Sequence, residues 1–215
     1  MPHRQFSSKS GIGPSEDFVM QTDWRVGEIL CTLDETETTV FSCIAWTTTM
    51  MLAMPKIQKR RPIKVACYRA NNHLRDTKVD IWEAGQRVPF FARRPSNIAW
   101  ASTCQETVCH VDLMATCPEL LGHELPENAT EDSFSWMPLF KGHLWTSPRA
   151  PVINFSAGGI FASRVGPWKL KHGNGSGGCE QLKGKPDQGP LQISHLYKNL
   201  QELHDLASHY PDKAS

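Results

Sequence analysis

One stretch of this 215-residue chain sets a cation, a glutamate, a glycine, an arginine and a proline at spacings that look like a shaped turn. It reads Arg75-Asp-Thr-Lys78-Val-Asp-Ile-Trp-Glu83-Ala-Gly85-Gln-Arg87-Val-Pro89-Phe. A lysine on a short loop suits a doubly charged tetrahedral oxyanion, because its ammonium is a compact donor that points in several directions. The residues alone leave a second reading open. A lysine beside Asp76, Asp80 and Glu83 is also what a solvated surface charge looks like, and composition favours that reading. His73 stands two residues before Arg75; it could line the same loop or simply face water. Arg87 is expected to pair with a carboxylate and, with Glu83 and Gly85, to fix the turn that ends at Pro89.

The elements that must position this loop follow from periodicity. Pro14 and Ser15 precede Glu16 and Asp17, which predicts a hydroxyl cap and two acids in a positive first turn. Phe18, Val19, Thr22, Val26, Ile29, Leu30 and Leu33 then recur at helical spacing as one apolar stripe. Thr38 to Trp46 is β-branched and aromatic and reads as a buried strand, so helix and strand suit an α/β layer. From Thr47 to Asn72 the pattern lapses, with clustered methionines and a basic run, Lys56 to Lys64, broken by Pro62. Val88 to Ala92 reads as a strand. Leu113 to Leu121 reads as a helix begun at Asp112, which Pro118 should bend or end.

A shift in composition near Pro148 divides the chain into residues 1–147 and a smaller unit, 148–215. In the second unit Pro151–Ser156 and Ile160–Arg164 flank Ala157-Gly-Gly159 and predict a hairpin. Pro167–Lys171 adds a third short strand, Gly173–Gly189 is a Gly/Lys-rich loop without a packing pattern, and Leu196–Leu206 reads as a helix.

Composition excludes several classes. At 40% hydrophobic and 21% charged residues the chain has the apolar matter for a packed core. A net charge of +1 gives no global field for nucleic acid or an anionic membrane. No apolar run reaches the ~18 residues of a membrane-spanning helix, and Met1-Pro-His-Arg-Gln-Phe-Ser-Ser-Lys9 shows no apolar core of a signal peptide. The seven cysteines, Cys31, Cys43, Cys67, Cys104, Cys109, Cys117 and Cys179, form no Cys-x-x-Cys pair. They read as mostly buried thiols rather than a zinc site or a disulfide framework.

Several segments, in order, resemble the formylglycine-dependent sulfatases of the arylsulfatase A type. Lys9-Ser-Gly-Ile-Gly-Pro14 through Asp17-Phe-Val-Met-Gln-Thr-Asp-Trp24 is similar to the helix before that family's metal-binding strand. Asp80-Ile-Trp-Glu-Ala-Gly85 through Arg93-Arg-Pro95 resembles its lysine loop and following strand. Asp112–Thr116 and Leu125–Ser133 resemble a later helix and loop, and Gly166-Pro-Trp-Lys-Leu170, Leu196-Tyr197 and Leu206-Ala207 its small C-terminal subdomain. The resemblance implies a partial alkaline phosphatase-like α/β sandwich followed by a small antiparallel sheet with a helix. It implies hydrolysis of sulfate esters on small molecules or polysaccharides, calcium as the family's cofactor, and Lys78 as the sulfate contact, with His73 a lesser candidate. Family members are often exported.

The same resemblance marks what the chain lacks. No cysteine stands in Cys-x-Pro-Ser-Arg or Cys-x-Ala-x-Arg, the sites of the formylglycine nucleophile. Where the family has Thr-x-Asp-Asn-Gly, this chain has Ser42-Cys-Ile-Ala-Trp-Thr-Thr48, which offers no carboxylate to a hard dication. Residues 40–72 read as divergent or out of frame. Catalytic and metal residues are therefore expected elsewhere, on a missing N-terminal half, and the chain alone is expected to be inactive. The alternative is a non-catalytic remnant or a module that binds anions or sugars.

Overall fold

The computed structural model describes residues 2–37, 42–45, 71–126, 128–145, 149–178, 189 and 191–213. The basic run Lys56–Lys64, most of the segment 40–72, the neighbourhood of Pro148 and most of the glycine-rich stretch after Gly178 lie outside the described residues.

Helix α1 spans Pro14–Glu35. Proline fits its first position, where the fixed φ is already helical and no N–H is needed. The cap departs from the expectation: it is Gly13, no side chain caps the end, and Ser15 lies inside the helix. Asp17 instead turns back and accepts the Ser8 N–H (2.7 Å), the Ser10 N–H (2.8 Å) and the Ser10 hydroxyl (2.7 Å), which ties down the preceding loop. The apolar stripe is not buried. Phe18 is 51% exposed and Ile29 61% exposed.

Strand β1 (Ser42–Ala45) pairs antiparallel with β2 (Phe90–Arg93), Ser42 opposite Arg93, as a ribbon of two strands. Arg93 closes on Asp34 near the end of α1, which joins helix and ribbon. Between the two strands in sequence falls a single helical turn, α2 (Glu83–Gln86).

Helix α3 (Leu113–Leu121) runs on through Pro118 rather than ending there. It stops at Gly122, whose φ of 73° lets Gly122 and His123 return their N–H groups to Glu119 and Pro118. Asp112 at its start is fully buried and accepts four donors: the Cys109 and Phe134 N–H groups, the Trp136 indole N–H and the Arg149 guanidinium. This gathers the loop before α3, the short helix α4 (Met137–Phe140) and Arg149 around one carboxylate.

The last unit is a four-stranded antiparallel sheet in the order β3 (Val152–Phe155), β4 (Phe161–Val165), β5 (Trp168–His172), β6 (Gln192–His195). The hairpin and third strand stand where the sequence predicts them; β6 is an addition. The helix expected over Leu196–Leu206 is absent, replaced by turns. Asn199 accepts the Leu203 N–H and Asp205 accepts the Ala207 and Ile193 N–H groups, so side chains compete locally with helical bonding. Leu206 also donates to the Ile193 carbonyl, and this segment thereby covers the outer edge of β6. The described cysteines overturn the expectation of buried thiols: Cys31, Cys104 and Cys117 are exposed and Cys109 half-buried, all free.

Candidate functional site

Lys78 sits at the corner of a tight turn closed by the Asp80 N–H on the Thr77 carbonyl, 2.9 Å. The Asp80 carboxylate reaches back to the Thr77 N–H (3.1 Å) and hydroxyl (2.9 Å), and is 1% exposed. A short polar side chain that bonds its neighbour's backbone in this way fixes a turn without help from packing. Two other loops then clamp the corner. Ala157 donates to the Val79 carbonyl (3.0 Å), and Ile81 donates to the Ser176 carbonyl (3.0 Å). The glycine-rich stretch therefore does pack, at least over Gly173–Gly178: Ser176 is fully buried. Its glycines explain why. A Cβ on Gly178 would stand 2.2 Å from an Asp80 carboxylate oxygen, and one on Gly85 would stand 2.0 Å from the Asp80 carbonyl. Only glycine lets backbone approach this closely.

Behind the turn lies a buried lattice of charges. The Lys169 ammonium bridges Glu83 (3.1 Å) and Glu202 (3.0 Å), while Arg164 meets the other Glu83 oxygen at 3.2 Å. Glu202 also accepts the Glu83 N–H at 2.7 Å. Lys169, Glu83 and Glu202 are each within 5% of complete burial. Arg75 and Lys171 both stack on Trp82, at 3.9 and 4.4 Å from the ring centre, and Arg75 donates to the Glu202 carbonyl. Burial raises the Glu202 carboxyl above its ordinary value, and the Lys169 ammonium pulls in the opposite direction. Apolar contact completes the unit through Ile81, Trp82, Ile160 and Ala162. The β4 and β5 strands thus aim Arg164, Lys169 and Lys171 at the segment that carries Lys78.

The structure treats the expected residues unequally. Lys78 is exposed and makes no ion pair with a described residue, neither with Asp76, Asp80 nor Glu83. His73 is exposed as well, and no described contact joins it to Lys78. Glu83 and Gly85 hold the turn, Glu83 through its two cations and Gly85 through close approach. Arg87 makes no ion pair with a described carboxylate. Its side chain is exposed, its part is the backbone N–H on the Glu83 carbonyl, and the cations that Glu83 takes come from the sheet. Sequence reasoning missed Lys169, Arg164 and Glu202, whose partners lie 81 or more residues away or across an irregular turn. The one available signal was two lysines on the same face of the short strand Trp168–His172.

A dication needs several hard oxygen donors that converge. Among the described residues no three His, Cys, Asp or Glu side chains come together to hold one. Asp80, Glu83 and Asp112 are already committed to hydrogen bonds and cations of the chain itself. The described residues therefore do not fit the calcium of the resembling family.

No family model matches the chain. It is 27% identical over 220 residues to an N-acetylgalactosamine-6-O-sulfatase of Bacteroides thetaiotaomicron, covering 99% of this chain and 42% of the relative. Over 164 residues it is 30% identical to human steryl-sulfatase, covering 76% of this chain and 28% of that one. A solved structure described under the metabolism of multiple glycosaminoglycans by Bacteroides thetaiotaomicron superposes on 99% of this chain and 45% of its own, with a TM-score of 0.75 at 24% identity. The architecture is accordingly a portion of the alkaline phosphatase-like α/β sandwich with its antiparallel C-terminal sheet. The chain belongs to the sulfatase family, of which it carries the later portion. It spans less than half the length of the curated relatives it matches.

Proposed function

We propose that this chain is the anion-holding portion of a sulfuric-ester hydrolase and that Lys78 is the residue that meets the sulfate. The observation that carries the reading is an exposed ammonium, without an ion pair among the described residues, on a turn whose backbone is clamped from two sides. A charge held in place before the substrate arrives costs no reorganisation when it acts. The Lys78 ammonium would donate to a sulfate oxygen and offset the negative charge that gathers on the leaving oxygen. His73 would be a second contact from the same loop. On this reading residues 1–147 supply the turn and residues 148–215 the sheet that holds it.

The nucleophile and the metal would come from the remainder of the sulfatase fold, since no cysteine here stands in a formylglycine motif. The chain alone would bind anions without turnover. The relatives' names, an N-acetylgalactosamine-6-O-sulfatase among them, support a sulfated sugar or another small sulfate ester as substrate. With the remainder of the fold supplied, hydrolysis of a chromogenic aryl sulfate should be restored, and Lys78→Ala should lower kcat/KM by about 100- to 1,000-fold. Vigorous hydrolysis by the unaccompanied chain, or full activity in Lys78→Ala, would contradict the proposal. Sulfate binding that never leads to turnover in the completed protein would instead mark a non-catalytic anion-binding module.

A further inference from the structure

Three Asn-x-Ser/Thr triplets stand in the chain: Asn128-Ala-Thr130, Asn154-Phe-Ser156 and Asn174-Gly-Ser176. In a folded protein such a triplet can carry an N-linked oligosaccharide only where its asparagine lies on the surface with room for a bulky sugar. The fold treats the three differently.

Asn154 lies within β3, opposite Ala162 of β4. The pleat sets it on the same face as the buried Val152, while Ile153 and Phe155 face outward. Its triplet hydroxyl, on Ser156, is 3% exposed and accepts the Ile160 N–H at 3.0 Å. Asn174 packs its carboxamide into the space that a Cβ on Gly189 would fill. Its partner Ser176 is fully buried, with the carbonyl on the Ile81 N–H and the hydroxyl on the Gly178 N–H. A sugar at either asparagine would displace packing that holds the sheet unit together. Asn128 differs on each count. It is exposed on the loop between α3 and α4, and its carboxamide makes no hydrogen bond with a described residue. Backbone bonds shape this loop, from the Ala129 N–H to the Pro126 carbonyl (2.9 Å) and from the Ser133 N–H to the Thr130 carbonyl (3.0 Å). They leave both side chains of the triplet out of the bonding, for the Thr130 hydroxyl has no described partner either.

We infer that Asn128 is an acceptor for an N-linked oligosaccharide, and that Asn154 and Asn174 are closed to one in the folded chain. The donor is a lipid-linked oligosaccharyl diphosphate. Transfer forms a bond from the Asn128 Nδ2 to the anomeric carbon of the sugar and breaks that carbon's bond to the diphosphate, which leaves as the lipid diphosphate; the amide gives up one proton. The sugar would keep the loop after α3 in water. The inference stands apart from the hydrolase reading.

The test places a secretory leader before the chain, expresses it in a eukaryotic host and maps peptide masses of the secreted, folded protein before and after enzymatic removal of N-glycans. The same peptides are read after the purified folded chain is incubated with oligosaccharyltransferase and a lipid-linked oligosaccharide, so the result does not depend on secretion. The expected result is one glycan, on the peptide that holds Asn128. It should be lost in Asn128→Gln and in Thr130→Ala and kept in Thr130→Ser, while Asn154→Gln and Asn174→Gln leave it in place. Circular dichroism of each variant checks that it folds. A folded chain whose Asn128 stays bare in both settings, while a control glycoprotein is modified, overturns the inference. So does a glycan on Asn154 or Asn174 of the folded protein.

Discussion

Two regions of this molecule solve opposite problems. Around the Lys78 turn, charges that would ordinarily face water are buried, and each finds a partner within the described chain: Lys169 between Glu83 and Glu202, Arg164 on Glu83, Asp80 on Thr77. Along α1, side chains that would ordinarily be buried face outward, with Phe18, Val19 and Ile29 all substantially exposed. The first region is complete in itself. The second has the apolar pattern of an interior surface. The difference teaches that the turn with its sheet is held by its own buried charges, whereas the apolar stripe of α1 is left substantially exposed. Buried charge is tolerable only where the geometry of pairing is good.

The contrast can be broken most sharply at the turn and its sheet. Gly85→Ala drives a Cβ into the Asp80 and Thr77 carbonyls, and it should destabilise by about 4 kcal/mol or more, or prevent folding, in urea titration. Lys169→Ala leaves Glu83 and Glu202 buried without their shared cation and should cost ~3–5 kcal/mol. Arg164→Ala should cost less, because Arg164 retains some solvent contact and Lys169 still serves Glu83.

Acidity sharpens the same comparison. Burial holds the Glu202 carboxyl above its ordinary 4.5. A carboxyl raised in the folded state binds its proton more tightly there than in the unfolded chain. The stability it contributes is therefore full below pH about 4.5 and is lost as pH rises through the raised folded value. Glu16 is raised by burial too and acts in the same sense. Glu202→Gln should flatten that part of the stability profile, read as urea midpoints from pH 4 upward; an unchanged profile would mean that Glu202 is not desolvated. Along α1 the effects are smallest. Phe18→Ser or Ile29→Ser should move the stability of the isolated chain by no more than ~0.5 kcal/mol and raise its solubility. A loss of several kcal/mol would mean that the stripe is already covered.

Much of the unit formed by the turn and its sheet was legible because its signals are local. The hairpin Val152–Val165 announces itself through Ala157-Gly-Gly159; outside that unit, the helical period over Phe18–Leu33 places α1. The loop that bears Lys78 was legible as a shaped turn. What held it was not. Period-two alternation in Trp168-Lys-Leu-Lys-His172 alone would turn both lysines to water, yet Lys169 and Lys171 are each 2% exposed. Their carboxylate and aromatic partners come from other elements, and no local pattern encodes a partner 86 residues away. Ser176 and Gly178 looked like slack in a glycine-rich loop because the reason for those glycines, the approach to Asp80, is likewise distant. For α1 the reading failed in the other direction. Its stripe was seen correctly as apolar, but what should cover it is not among the described residues. The expected Leu196–Leu206 helix failed because Asn199 and Asp205 bond the nearby backbone instead.

The decisive measurement is a titration of the folded chain with inorganic sulfate, followed by backbone and lysine side-chain chemical shifts. The account predicts saturable shifts centred on Thr77–Asp80 and the Lys78 ammonium, abolished in Lys78→Ala while the buried Lys169 signals stay put. Shifts spread evenly over the exposed lysines and arginines, or a Thr77–Asp80 response that persists without the Lys78 side chain, would contradict it.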